Sequence, residues 1–355
     1  MQLNRELLAV TALESLSSTA VQTTQVLVLR AIGLGDFLTG VPAYRGLRRA
    51  FPEASITLAA PAVLAPLASL TGAIDRVLPV AGLGGLPPLS APPDLAVNLH
   101  GAGPESIADL LATGARRLIS HRHPQYPQIP GPDWCEEMHE VERWTSLLAA
   151  AGIPADPGEL HLVKPPQAPA VLNAVIVHPG ASAEARRWPV DRFGAVAGAL
   201  AATGHSVVLT GSAAERSRCF AVARCAGLDQ DSVLAGDLDL AGLAALMADA
   251  RLLISGDTGI AHLATAYATP SILLFGPTSP LRWGPPAGGP STVIWRGATG
   301  NPHGRWVDPA LLEIVSDEVL DAAEARLGDP NRVDAESGHE QHALRPHRCC
   351  IRPLS

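Results

Sequence analysis

An acid, a hydroxyl and an imidazole follow an apolar run in LISGDTGIAHLAT, residues 253–265. The run ends at Ile254, and Asp257 or Thr258 can cap a helix that begins directly after them. The N-terminal end of such a helix carries partial positive charge and free amide groups, which suit an anion such as phosphate. Helical spacing places Thr258 and His262 on one polar face. The segment is therefore a candidate phosphate site, with simple helix capping as the alternative explanation.

A carboxylate follows the first apolar run of the chain, in AIGLGDFLTG, residues 31–40. Gly33 and Gly35 permit a tight turn, but Leu38 stands where a dinucleotide fingerprint requires its third glycine. Asp36 would also repel a pyrophosphate at this loop. A carboxylate facing a cleft can instead accept the proton of a hydroxyl nucleophile. Asp36 is therefore either a general base or the cap of the next helix.

Charged side chains follow two strands of the second half of the chain. In HPGASAEARRWP, residues 178–189, the guanidinium groups of Arg186 and Arg187 could bind phosphate bidentately or could be solvated. Glu215, in TGSAAE, could hold ribose hydroxyls or stabilise a helix N-terminus. The loop FGPTSPLRWGP, residues 275–285, fits a rigid turn or a ligand contact.

Composition limits the class of protein. A chain of 355 residues can form two domains, and its 17% charged residues suit buried parallel strands flanked by helices. The net charge of −8 argues against nucleic acid as a partner. Lys164 is the only lysine, so arginine supplies nearly all the positive charge.

Cysteine spacing and N-terminal hydropathy predict a cytoplasmic protein. The five cysteines, at 135, 219, 225, 349 and 350, form no CxxC pair and no metal-ligand spacing, which indicates reduced thiols. The apolar patch Leu7–Val10 is too short for a signal peptide or a spanning helix. We expect at most peripheral contact with the inner face of the cytoplasmic membrane.

Two successive alternations of short apolar runs and amphipathic segments predict two parallel sheets. The predicted strands are 26–30, 56–60, 76–80, 94–100 and 116–120, then 174–178, 206–210, 232–236, 251–255 and 271–275. The predicted helices include 105–113, 137–151, 190–203, 212–226, 240–249, 258–268 and 309–327. The pattern predicts an α/β protein of two Rossmann-like, doubly wound domains facing a cleft, where strand carboxyl ends bind ligands.

The predicted domain boundaries follow proline-rich and unpatterned stretches. An N-terminal extension covers 1–25, the first domain 26–163, a linker 164–170 and the second domain 171–327. The polar residues 328–355 are expected to be disordered, and Cys349 and Cys350 within them incidental.

The ordered set of motifs resembles glycosyltransferase family 9, the ADP-heptose:lipopolysaccharide heptosyltransferase family. The resemblance covers about residues 26–326 and rests on GLGD, HPGAS…RRWP, GSAAE and SGDTGIAHLATAYATPSILLFGPTSPLRWGP. It implies a GT-B fold that binds a nucleotide sugar mainly through the second domain and the acceptor through the first. It also implies that Asp36 is the general base, and it places Arg186 where the family usually has lysine.

The candidate site residues fall into three groups. Asp36 and Arg186 are the candidate catalytic residues. The donor-binding set is Gly180, Arg187, Glu215, Leu238, Asp257, Thr258, Gly259 and His262. Gly33, Gly35 and His100 are expected on the acceptor side.

The chemistry expected of these residues is an inverting glycosyl transfer. Asp36 would take the proton of an acceptor hydroxyl, while Arg186 and the helix N-terminus at Thr258 and Gly259 would stabilise the departing diphosphate. No acidic pair suits a metal, so we expect no metal and no cofactor, with a nucleotide-diphosphate sugar such as ADP-heptose as donor and a glycan or glycolipid as acceptor. A catalytically silent nucleotide-sugar-binding protein and a nicotinamide-dependent oxidoreductase are the alternatives.

Overall fold

The computed structural model describes residues 23–328. The predictions for the N-terminal extension before residue 23, and for the tail after residue 328 with its two cysteines, lie outside the described residues. Within the described residues, no helix has the length and apolar character needed to cross a bilayer.

Two five-stranded sheets form the molecule, and every strand pair in them is parallel. The first sheet contains Gln25–Leu29 (β1), Ser55–Ala60 (β2), Arg76–Pro79 (β3), Leu95–Asn98 (β4) and Arg117–Ile119 (β5). The second contains Val175–His178 (β6), Val207–Leu209 (β7), Leu252–Gly256 (β8), Ser271–Phe275 (β9) and Ser291–Trp295 (β10). The strand order is β3-β2-β1-β4-β5 in the first sheet and β10-β9-β8-β6-β7 in the second. The α/β class predicted from the sequence is confirmed.

Helices lie between most successive strands, as parallel pairing requires. In the first half they are Leu34–Thr39, Val41–Ala50, Ala65–Leu70, Glu105–Ala112 and Glu140–Ala150. In the second half they are Val190–Ala202, Arg216–Ala226, Leu240–Asp249, Gly259–Ala266, Pro280–Trp283, Pro309–Leu312 and Ser316–Leu327. Short 3₁₀ turns are Ala62–Leu64, Glu184–Arg186, Ala213–Glu215 and Gln230–Ser232.

Most strands are buried on both faces, which is why they appear as continuous apolar runs rather than alternating ones. In β1, residues 26–29 are all buried. One apolar cluster contains side chains from both halves, including Leu38 and Leu67 from the first and Leu246 and Leu263 from the second. The two sheets are therefore held together by a continuous apolar contact. The predicted linker 164–170 forms no helix or strand.

The predicted strand 232–236 is wrong. Only one bridge, between Leu209 and Val233, joins this segment to the second sheet. The 3₁₀ turn Gln230–Ser232 precedes the bridge, and Gly236, with a φ of 81°, turns the chain away shortly after it. Too few residues remain between the two turns to extend a ladder.

Two further elements differ from the prediction. β10 is absent from the predicted strands, although its sequence STVIW is rich in the β-branched and aromatic residues that favour strands. The predicted helix 309–327 is divided into two, because the chain leaves the helical conformation around Ile314. The carbonyl of Ile314 accepts hydrogen bonds from Trp188 Nε1 at 3.0 Å and Arg192 Nη1 at 2.5 Å, which fixes the break.

Candidate active site

The carboxyl ends of the two sheets face a common cavity of about 1040 Å³. Loops that follow β1, β6, β7, β8 and β9 supply its walls, as expected for open parallel sheets. The cavity brings together ten of the candidate residues, which are Gly33, Gly35, Asp36, Arg186, Glu215, Leu238, Asp257, Thr258, Gly259 and His262.

Gly180 and Arg187 lie behind the cavity wall rather than on it. A Cβ at Gly180 would come within 2.1 Å of Glu215 Oε1, so this glycine leaves room for the Glu215 carboxylate. Arg187 donates from Nε to the Ala181 carbonyl at 2.9 Å and from Nη1 to Glu184 at 3.0 Å. Of the expected arginine pair, only Arg186 reaches the cavity.

His100 also lies outside the cavity wall. Its Nδ1 accepts a hydrogen bond from the Ala31 amide at 3.1 Å. Burial and the nearby Arg30 charge lower the pKa of His100, which favours the neutral ring that this contact requires. The contact fixes the loop that leads from β1 toward Gly33.

Asp36 lies in the first turn of the helix Leu34–Thr39, with its side chain 26% exposed. Burial raises the pKa of Asp36, the Arg30 charge lowers it and the Glu140 charge raises it, and the net shift is upward. A carboxylate with a raised pKa is a better proton acceptor than an ordinary aspartate. The environment therefore suits a general base.

Arg186 enters the cavity from the 3₁₀ turn after β6. Its Nη1 donates to the Asp257 carbonyl at 3.2 Å and lies 3.8 Å from the Asp257 carboxylate, while Nη2 contacts Ser182 Oγ. Its buried Nε and the Thr258 hydroxyl have no hydrogen-bond partner among residues 23–328. Both atoms are buried, and the residues that carry them line the cavity.

Asp257 is 6% exposed, and burial raises the pKa of its carboxyl group against the effects of Arg186 and a hydrogen bond with Thr278. Asp257 directly follows β8 and precedes Thr258, which is the N-cap residue of the helix Gly259–Ala266. The Thr258 side chain makes no capping hydrogen bond. Capping alone therefore does not explain this threonine.

The helices Leu34–Thr39 and Gly259–Ala266 meet across the cavity through two glycines. A Cβ at Gly35 would lie 3.0 Å from His262 Cδ2, and a Cβ at Gly259 would lie 2.9 Å from Leu34 Cβ and 3.0 Å from the Gly35 amide nitrogen. Burial lowers the pKa of His262 to about 4, so its imidazole is neutral near pH 7. The glycines bring His262 next to the loop that carries Asp36.

Glu215 and its neighbours form a polar group at the ends of β6 and β7. The carboxylate accepts hydrogen bonds from the Ser212 amide and hydroxyl, both at 2.8 Å. Burial opposes its charge, but these hydrogen bonds prevail and lower the pKa of Glu215. His178 Nδ1 lies 3.0 Å from Thr210 Oγ1. Such acceptors and hydroxyls can bind ribose hydroxyl groups.

Cavity residues outside the candidate set include several from the loop 275–285, for which the sequence leaves a rigid turn or a ligand contact open. Arg282 pairs with Glu136 at 2.7 Å, and His139 Nε2 lies 3.0 Å from the Gly284 carbonyl, so this wall bridges the two halves. Further lining residues include His178, Ser182, Thr210, Ser212, Thr278 and Trp283. The position of these residues in loops at strand ends is the signal that could have identified them.

Within residues 23–328, no group of three or more His, Cys, Asp and Glu side chains is arranged to hold a metal ion. The positive charge facing the cavity comes instead from Arg186 and Arg282.

Comparisons with known proteins give a family match and several similar structures. Residues 133–304 match the model of glycosyltransferase family 9 (heptosyltransferase). The chain is similar to the structure of E. coli ADP-heptose LPS heptosyltransferase II, with 22% identity and a TM-score of 0.68 over 86% of this chain and 98% of that one. It is also similar to a family 9 glycosyl transferase from Veillonella parvula, with 20% identity and a TM-score of 0.70 over 87% and 99% of the two chains.

A third similar structure is E. coli heptosyltransferase WaaC with ADP, with 20% identity and a TM-score of 0.63 over 86% of this chain and 100% of that one. Comparison with curated proteins gives no match. The structural likeness confirms the predicted GT-B fold of two Rossmann-like sheets.

Proposed function

We propose that this chain, whose residues 133–304 match the model of glycosyltransferase family 9, transfers a heptose-like sugar from ADP-heptose to a hydroxyl group of a glycan or glycolipid acceptor of the cell envelope. The proposed reaction is a single inverting displacement that needs no metal. It is supported by the names of the similar E. coli proteins, which refer to ADP-heptose and ADP.

One observation carries the proposal. Asp36, Arg186 and Thr258 line the same cavity. Asp36 lies in the helix after β1 of the first sheet, whereas Arg186 and Thr258 follow β6 and β8 of the second. A base and an anion-binding site on facing walls are what a direct displacement requires. A protein that only binds a nucleotide sugar has no need of the base.

In the proposed mechanism, Asp36 accepts the proton of the acceptor hydroxyl as its oxygen attacks the anomeric carbon. The bond from that carbon to the diphosphate oxygen breaks, and the diphosphate leaves with the electron pair. Attack on the face opposite the leaving group inverts the anomeric configuration. The raised pKa of Asp36, caused first by its burial, supports this role.

Charge grows on the diphosphate as it leaves, so groups that bind it more tightly at that stage accelerate the reaction. Arg186 supplies a guanidinium, and the helix Gly259–Ala266 supplies free amides and the positive end of its dipole. These groups can supply the positive charge that a divalent cation supplies in other glycosyl transfers, which is the basis for proposing metal independence.

The remaining donor contacts follow from the polarity of the walls. Glu215 is assigned to the ribose hydroxyls. The apolar end of the cavity is assigned to the nucleobase, and it is formed by Leu234, Leu238, Leu240 and Leu243. Asp257 and His262 are assigned to the donor sugar. We place the reaction on the cytoplasmic side of the membrane, with at most peripheral membrane contact.

Substitution of Asp36 tests the proposal. Asp36→Asn and Asp36→Ala should lower turnover of ADP-heptose by about 10²- to 10⁴-fold, because the general base is lost. ADP affinity, measured by calorimetry, should change little, because ADP is assigned to the opposite wall. Proton NMR of the product should show the anomeric configuration opposite to that of the donor, and EDTA should leave the rate unchanged.

Glu215→Gln is the matched comparison, because it also removes a carboxylate from the cavity wall. It should weaken ADP binding and lower turnover less than the Asp36 substitutions. Equal loss of ADP affinity and turnover in Asp36→Asn would show that Asp36 has a structural role and would contradict the proposal.

A further inference from the structure

A buried ionic cluster lies behind Asp36, and the proposed reaction does not use it. Arg30, which directly follows β1, and Arg143 are almost completely buried, and Glu140 is 8% exposed. Glu140 Oε1 accepts from Arg30 Nη2 at 3.1 Å and from Trp144 Nε1 at 2.8 Å, and Oε2 accepts from Arg143 Nε at 3.1 Å. Even a fully paired buried ion cluster is often no more stabilising than apolar residues of similar volume, so stability alone does not explain this arrangement.

The N–H groups of Arg30 nearest to Asp36 all donate to acceptors other than the Asp36 carboxylate. Its Nε donates to the Asp36 carbonyl and its Nη1 to the Leu99 carbonyl. The two N–H groups of Nη2 are directed to Thr39 Oγ1, at 2.9 Å, and to Glu140, at 3.1 Å. The Asp36 carboxylate lies 3.9 Å from Nη2, beyond hydrogen-bond distance. Arg30 therefore orients the backbone of Asp36 without donating to its carboxylate.

We propose that Glu140, helped by Thr39, is a positioning residue that holds the Arg30 guanidinium off the Asp36 carboxylate and so keeps Asp36 a strong enough base to deprotonate the acceptor. The inference rests on the proposed role of Asp36 as general base. A carboxylate in full contact with an arginine would be a weaker proton acceptor. Glu140 also contributes a like charge, which disfavours ionised Asp36 further.

The charged and titratable groups around Asp36 come from every element packed near it. They are Arg30, which follows β1, Tyr44 from the helix Val41–Ala50, Glu140 with its neighbours His139 and Arg143, and His262 from the helix Gly259–Ala266. Burial raises the pKa of Tyr44, so it stays neutral. Although burial raises the pKa of Glu140, the charges of Arg30 and Arg143 lower it more, so Glu140 stays ionised. Glu140 is thus the anion whose loss most affects Asp36.

The first test measures protonation of Asp36 without any catalysis. Because the pKa of Asp36 is raised in the folded protein, stability is lost as pH rises from the ordinary carboxyl value through the raised one. The melting temperature of Asp36→Asn minus that of the parent should therefore increase across this range. In a Glu140→Gln background the increase should be smaller or absent, because Asp36 then ionises more readily. An equal increase in both backgrounds would overturn the proposal.

The second test is the pH dependence of ADP release from ADP-heptose. In Glu140→Gln the acid limb of kcat/KM should move to lower pH, and kcat on the plateau should fall by roughly threefold to tenfold, because the base is weaker. Glu140→Asp keeps the charge and should retain the acid limb of the parent. If Glu140→Asp behaves like Glu140→Gln, the effect is one of packing and the proposal is wrong.

Glu142→Gln is the matched control, because it removes an exposed carboxylate from the same helix. It should change neither profile. Should Glu140→Gln fail to fold, Thr39→Val provides a second route, because it frees one N–H of Arg30 Nη2 to turn toward Asp36. The same downward move of the acid limb is expected, and its absence would overturn the proposal. Retained turnover in Asp36→Asn would instead refute the proposed function, while the stability test would still report on Glu140.

Discussion

Replacement of Gly259 by alanine tests the closest contact between the two halves. The added Cβ would lie 2.9 Å from Leu34 Cβ, 3.2 Å from Leu34 Cγ and 3.0 Å from the Gly35 amide nitrogen. Carbon atoms in contact are normally about 3.5–4.0 Å apart. Because one neighbour is backbone, the helix Gly259–Ala266 must move several tenths of an ångström away from the helix Leu34–Thr39.

The expected cost follows from comparable overpacked cores. Forcing an extra methyl group into a packed contact costs about 1–3 kcal/mol, and the helix preference of alanine over glycine offsets up to about 1 kcal/mol. We therefore expect Gly259→Ala to lower the free energy of unfolding by about 1–2 kcal/mol. Since an apolar cluster spans both halves, the loss should appear in the main unfolding transition. Urea denaturation at pH 7 with unchanged m-value measures it.

Gly33→Ala is the matched control for stability, because its Cβ would meet only Asp36 Oδ2, at an ordinary 3.7 Å. A cycle with Leu34→Gly, which removes the nearest carbon, should show that the cost of Gly259→Ala shrinks when Leu34 is absent. If Gly259→Ala is as stable as the parent, or if the two substitutions act additively, the two helices are not in the contact described here.

Two further predictions concern the donor side. Arg186→Ala should weaken ADP binding by about 10- to 100-fold, which is the effect of losing hydrogen bonds from a charged group. Arg186→Lys should recover only part of the affinity, because one ammonium group cannot reach both Ser182 and the Asp257 carbonyl. An ADP affinity of Arg186→Ala equal to that of the parent, measured by calorimetry, would contradict this prediction. The pKa of His262 is lowered by burial from 6.5 to about 4, so the folded protein loses stability as pH falls through that range. His262→Gln should therefore reduce the drop in melting temperature between pH 7 and pH 4, and an unchanged drop would show that His262 is not buried as described.

The sequence predicted the sheets well because buried parallel strands are continuous apolar runs with few alternatives. Nine of the ten predicted strands coincide with β1 to β9. The tenth, 232–236, is also apolar, but pairing depends on how many residues lie between two turns, and the turn at Gly236 lies so close to Ala213 that a Cβ there would come within 2.8 Å of Ala213 Cα, a proximity that local sequence does not reveal. β10 is an edge strand of half-buried residues, so its apolar pattern is weak.

The candidate site was predictable where a functional type of residue follows a strand. Asp36, Arg186 and Glu215 meet that condition, and all three line the cavity. The direction of a side chain after a turn was not predictable, so Arg187 was assigned to the cavity beside Arg186 although it binds its own loop. The sequence does not predict the contact between Arg30 and Glu140, because these residues are 110 positions apart.

The departure of the chain from the second sheet after Val233 shapes one wall of the cavity. Leu234 and Leu238 line the cavity because the chain turns at Gly236 and does not continue as a sixth strand. A Cβ at Gly236 would lie 2.8 Å from Ala213 Cα, and the φ of 81° there strongly favours glycine. Any other residue at position 236 would therefore shift the main chain between Leu234 and Leu238. With the nucleobase placed at this wall as proposed, its selection would depend on position 236, which does not line the cavity.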